Sequence, residues 1–214
     1  VSKLEEKGLF QEKKEFIDKK TKEVLQEVFL EEKGLTQEKK EFIDKKTKEV
    51  LQEVFNGDIV IPIDIIEVVK KYGFTLVNAR LDENEDGFIM INKSKNNILG
   101  FETNKLIGVN SSKSLPWKRF IIAHELGHYK LEYENSDNKL QFAHRDHRKG
   151  KDERENEIDY FSASILMPKD EFINLHQYFL SNPTVNKDLL VDFLATQFQV
   201  TKKMVTRRIE EVGL

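Results

Sequence analysis

This chain of 214 residues carries five histidines and no cysteine, and two of the histidines stand four apart in His124-Glu125-Leu126-Gly127-His128. Residues four apart on a helix lie ~40° from one another, so both imidazoles can face one ion at the ~2.1 Å of a zinc–nitrogen bond. Glu125, one step round the helix, is poorly aimed at that ion but can reach a water beside it, the position of a general base. Gly127 leaves room for another element to approach. The competing reading is a chance pentapeptide on a buried helix, with two core histidines satisfied by carbonyl groups. The apolar lead-in Phe120-Ile121-Ile122-Ala123 and a suitable acid downstream favour the metal. The absence of Cys removes disulfides, thiol nucleophiles, iron–sulfur clusters and Cys-containing zinc fingers, so any ion must be held by His, Asp and Glu.

The third ligand has several candidates. The extended metzincin pattern is excluded, because Leu131 and Glu134 stand where it needs Gly and His. His144, His147 and the glutamates of residues 152–157 remain. Helix phase separates the glutamates. The stripe Ile158, Phe161, Ile165, Leu166, with Ser162 beside it, marks the inward face; at ~100° per residue Glu155 falls within ~60° of its centre and Glu157 ~110° away. Glu155 is therefore predicted to face inward. Asp159, one turn on, lies on the same flank and can accept a hydrogen bond from the free ring nitrogen of a ligating histidine. Against this, an acidic helix start is by itself an ordinary solvated charge run.

These residues need a scaffold to position them. With 35 Lys+Arg against 38 Asp+Glu and a formal charge of -3, the surface gives no electrostatic case for a dedicated nucleic-acid binder. No apolar run approaches the ~18 residues of a membrane span, and the first residues hold no apolar signal-peptide core, so the expected compartment is the cytoplasm. Residues 4–29 and 30–55 are identical except for Phe10 against Thr36, and each copy reads as an amphipathic helix. Two copies fall short of the ~3 repeats a solenoid needs. The second is expected to dock on the body; the first can pair with it, dock on a neighbouring molecule or hang free.

Further on, residues 64–72 read as a helix closed by Gly73, and residues 74–77, 88–91, 98–101 and 106–109 as short strands of a small, mostly antiparallel sheet. Residues 84–87 read as a turn. Ser114 can cap a helix that carries the histidines to about residue 131, and residues 135–150 read as loop. Helices follow over residues 152–166, from Pro168 to 179, over 188–198 and over 202–212. The expected class is α+β. The expected organisation is an extra N-terminal helix over residues 1–30, a catalytic domain over 31–186 and a C-terminal helical pair over 187–214. Residues 194–209 have the rhythm of a helix-turn-helix, with Thr201 capping a helix that bears Lys202, Lys203, Arg207 and Arg208. DNA binding is one reading of that pair. Packing on the catalytic domain or gripping a protein is preferred, because Glu210 and Glu211 dilute the basic face and Gln199 replaces the usual turn glycine.

Residues 119–128, 142–146 and 155–168 together resemble the ImmA/IrrE-type metallo-endopeptidases, over roughly residues 40–180. The resemblance implies a zincin-like fold, with a small antiparallel sheet packed on the active-site helix. It implies His124, His128 and Glu155 as ligands of Zn2+, with Mn2+ as the alternative ion, and Glu125 as catalytic base. It also implies a protein substrate, a helix-turn-helix transcriptional repressor, and a role in bacterial or phage regulation. Ile158 and Ser162 stand where the family usually has Ala, and the duplicated helix has no counterpart. His144, Arg145, His147 and Tyr160 are candidates for oxyanion or substrate contacts, each also readable as an ordinary surface or packing residue. By analogy of fold, Leu106, Ile107, Gly108, Val109 and Asn110 are expected to form an edge strand to which an extended substrate adds. The other class of function is a DNA- or partner-binding regulator with a structural metal and no protease activity, against which Glu125 argues, since a structural site has no use for a base.

Overall fold

A computed structural model describes residues 35–137, 140–146, 153–184 and 186–214. The first copy of the duplicated segment and His147 lie outside the described residues. The second copy forms helix α1 (Gln37–Phe55), which buries Ile43, Thr47, Val50 and Leu51 at helical spacing, while Phe42 stays 55% exposed. Helix α2 (Ile65–Lys71) starts where the Asp64 carboxylate accepts from the backbone N–H groups of Ile66 and Glu67.

Four strands follow: β1 (Thr75–Ala79), β2 (Glu85–Asn92), β3 (Lys105–Asn110) and β4 (Leu140–Asp146), in spatial order β1-β3-β2-β4. β2 is antiparallel to β3 and β4, and β1 is parallel to β3. This corrects the expected edge strand. Leu106, Ile107, Gly108, Val109 and Asn110 pair with β1 along their whole length, and β2 takes the other side of Leu106–Val109. The run is nearly all apolar and Leu106, Ile107 and Val109 are buried, the pattern of an enclosed strand. β4 takes the outer place beside β2, within the stretch the sequence reads as loop. Leu140 and Phe142 give it an alternation only two apolar residues long, too little for periodicity to register. Residues 98–101 are not a strand: Ile98 and Phe101 bridge across a tight turn in which Leu99 (φ 51°) and Gly100 (φ 84°) take left-handed conformations. Ile98 plugs a cluster with Phe88 and Leu106.

Gly87, read from sequence as part of a turn, lies inside β2. A Cβ there would stand 2.5 Å from Ile121 Cγ2 and 2.7 Å from the Gly108 carbonyl oxygen, so the glycine lets the sheet close on the helix behind it. Because the carbonyl is backbone and cannot swing aside, Gly87→Ala is expected to destabilise the fold by about 1–3 kcal/mol. Urea unfolding checks this, and an unchanged midpoint would contradict it.

That helix, α3 (Leu115–His128), is buried throughout residues 120–128. Ser114 occupies its N-cap without a side-chain cap bond. At Tyr129–Tyr133 the backbone widens into a π-helical turn, with the Glu134 N–H donating to the Tyr129 carbonyl. Helix α4 (Glu153–Leu166) crosses α3 at Gly127, where a Cβ would meet Ile158 Cγ2 at 3.0 Å and Phe161 at 3.2 Å. Pro168 separates α4 from α5 (Lys169–Ser181). Helices α6 (Leu190–Phe198) and α7 (Lys202–Val212) end the chain, joined through left-handed Gln199, and Thr201 accepts from the Met204 N–H. Both belong to the compact unit Gln37–Leu214. No described helix is long and apolar enough to cross a membrane.

Candidate metal centre

Helix α3 presents His124 and His128 on one face, their ring centroids 4.9 Å apart. Glu155, near the start of α4, faces them: one carboxylate oxygen lies 3.4 Å from His124 Nε2 and the other 3.7 Å from His128 Nε2. Ligand atoms around a tetrahedral ion at ~2.0–2.2 Å are ~3.3–3.6 Å apart, so these separations fit one ion between the three side chains. Among the described residues this trio is the cluster with metal-ligand geometry, its donor atoms all within 4.8 Å of one another. Glu153 and Glu157 turn elsewhere, to Lys39 of α1 at 2.7 and 2.5 Å.

The rear nitrogens are held as well. His124 Nδ1 lies 3.1 Å from Asp159 Oδ1 and His128 Nδ1 lies 2.8 Å from Glu132 Oε2. A carboxylate accepts, so each Nδ1 carries the proton and each Nε2 keeps its lone pair for an ion. The Glu132 carboxyl is held below its ordinary range chiefly by the hydrogen bond from His128, with Arg154 adding its charge at 3.0 Å. It is therefore ionised at neutral pH and keeps that tautomer in place.

Glu125 is fully buried on the sheet side of α3. One of its carboxylate oxygens would lie 3.7 Å from a Cβ at position 87, so Gly87 also makes room for this acid. Tyr133 lies parallel to His128 at a centroid distance of 6.1 Å. Burial, with the charges of Glu132 and Glu125 adding, pushes its phenol up to about 12, so it stays a donor at neutral pH.

The other sequence candidates fare differently. Tyr160 is buried, donates to Asp44 of α1 at 3.1 Å and lies under the Arg208 guanidinium. It is a packing residue tied to α1 and α7, which corrects the expectation of a substrate contact. His144 and Arg145 stand on β4 opposite Phe88 and Gly87. Glu132 and Tyr133 were missed by the sequence reading. Glu132 was findable, being four residues beyond His128; Tyr133 reaches the ring only through the π-helical turn.

No curated protein matches this sequence. Among solved structures, a Mycobacterium tuberculosis transcriptional regulator is similar at 14% identity and a TM-score of 0.48, the match covering 81% of this chain and 47% of that one. This chain thus spans about half the length of that regulator. A family model described as the IrrE N-terminal-like domain of the M78 peptidases matches residues 74–210. That stretch runs from the sheet through the histidine pair, Glu155 and Asp159 to the last helix, and on this match the chain belongs to the M78 peptidase family.

Proposed function

We propose that the chain is a zinc-dependent endopeptidase that hydrolyses a peptide bond in a specific protein, a helix-turn-helix repressor. The observation that carries the reading is the convergence of His124 Nε2, His128 Nε2 and the Glu155 carboxylate, with both rear nitrogens held by acids and buried Glu125 alongside. A divalent ion held by His124, His128 and Glu155 would polarise a carbonyl as a Lewis acid and would lower the pKa of a water, easing the loss of its proton. Glu125 takes the proton of the attacking water and passes it to the leaving amine. Asp159 and Glu132 keep the imidazoles aimed. Tyr133, a neutral phenol beside His128, is the candidate donor to the developing oxyanion.

An extended substrate has the outer side of β4 as its docking edge, because β3 is enclosed and Arg145 of β4 pairs with Gly87, against which Glu125 packs. The repressor as substrate follows from the resemblance to the ImmA/IrrE-type enzymes, and the cytoplasm is the place where a DNA-binding repressor would be met. The reading is tested by incubating the protein with the repressor encoded beside its gene and identifying fragments by mass spectrometry. Discrete fragments are expected with zinc, none after chelation, and their return when zinc or manganese is restored; fragments indifferent to chelator would sink it.

The C-terminal pair serves the peptidase body in this reading. Arg208 is fully buried and Arg207 pairs with Asp159 and Glu211, which leaves Lys202 and Lys203 as the outward cations of α7, with Lys202 paired to Asp192. Two lysines are a thin phosphate contact. No specific DNA shift is therefore expected at ~150 mM salt, where weak phosphate-driven binding is screened away.

A further inference from the structure

We propose that Arg207 of α7 is a positioning residue of the metal centre, acting on His124 through Asp159; this rests on the metallopeptidase reading above. Asp159 has its side chain 1% exposed and uses its two oxygens in opposite directions: Oδ1 lies 3.1 Å from His124 Nδ1 and Oδ2 lies 3.6 Å from Arg207 Nη1. Rotation of the carboxylate about its χ2 torsion would spoil its aim at His124. A guanidinium on the second oxygen fixes that rotation. The guanidinium is fixed in turn, since Arg207 Nε donates to Glu211 Oε1 at 2.7 Å, one turn along the same helix.

The helix that carries Arg207 is anchored independently. Arg208, its neighbour, is wholly buried, donates from Nε to the Met167 carbonyl at 3.2 Å and packs over the Tyr160 ring. Met167 follows α4 directly, so α7 is tied to the end of the helix that bears Glu155 and Asp159. The pair Arg207–Asp159 differs from a surface ion pair because one member is removed from water, and so loses less to screening. The arrangement also repeats on the second ligand, where Arg154 lies 3.0 Å from Glu132, the acid behind His128. Each ligating histidine thus has an acid behind it and an arginine behind the acid. The C-terminal pair, by sequence a candidate DNA reader, supplies one of the two arginines.

The test is zinc affinity, measured by chelator competition on the full chain, with melting curves beside it. Arg207→Ala is expected to weaken zinc binding by roughly 10-fold, at the lower end of the range for partners of metal-bound histidines. Arg207→Lys should recover most of the loss. In an Asp159→Asn background Arg207→Ala should cost nothing further, because its path to the ion is already cut. Native affinity in Arg207→Ala, a loss that adds in full to that of Asp159→Asn, or no recovery with lysine would each overturn the proposal while leaving the peptidase reading intact. A wild-type chain that binds no zinc would overturn both. Should Arg207→Ala fail to fold, Arg207→Gln against Arg207→Lys makes the same comparison.

Discussion

Glu125→Gln is expected to bind zinc as the native chain does and to lose cleavage by about 10²–10⁴-fold, the contribution of a positioned general base. Two observations set this expectation. The acid lies outside the His124–His128–Glu155 trio, so the ion loses no ligand. It is also fully buried, so an amide of the same shape preserves the packing against Gly87 while removing the ability to take a proton. A factor of 10³ corresponds to about 4 kcal/mol of barrier. The measurement is the rate of fragment appearance at saturating zinc, with metal content determined on the same samples. Undiminished cleavage would remove Glu125 from the mechanism; lost zinc would show that it holds the ion.

Much of the candidate centre is legible in the sequence because the groups proposed for it lie close together along the chain. His124 and His128 sit one helical turn apart, and so do Glu155 and Asp159, so the period of the α-helix decides which side chains share a face. The same period marks Ile43, Val50 and Leu51 as the docked face of α1. What escaped the sequence is relational. Whether 106–110 is an edge or an interior strand depends on where β1 and β2 are added, which no pattern within the strand determines. β4 escapes a periodicity reading because Leu140 and Phe142 give it only two alternating apolar residues. Tyr160 shares a helix with two site residues, yet its azimuth carries it to Asp44 and Arg208, partners from distant parts of the chain. Arg207 belongs to the same class. A basic residue on a helix-turn-helix-like segment suggests phosphate, and only the tertiary fold brings it to Asp159.

The sharpest separation between neighbouring acids is expected on α4. Glu155→Ala should cost most of the bound zinc, whereas Glu157→Ala should cost none. Binding energies of ~10–16 kcal/mol for structural zinc, divided among four ligands, give roughly 3 kcal/mol for each, or about 10²-fold in affinity. Glu155 is the carboxylate that closes the gap between the two Nε2 atoms, at 3.4 and 3.7 Å, and the described residues hold no replacement aimed at the same point. Glu157, two residues on, is drawn to Lys39 on the opposite flank, so its removal alters only that pair. Metal content after dialysis against a weak chelator distinguishes the two variants without reference to any substrate. Loss of zinc in Glu157→Ala with retention in Glu155→Ala would mean that α4 is rotated by some 200° from its observed phase, since two residues advance a helix by about that angle. Asp159, which shares a face with Glu155, would then be carried away from His124. The metal-content measurement therefore tests the orientation of the whole helix.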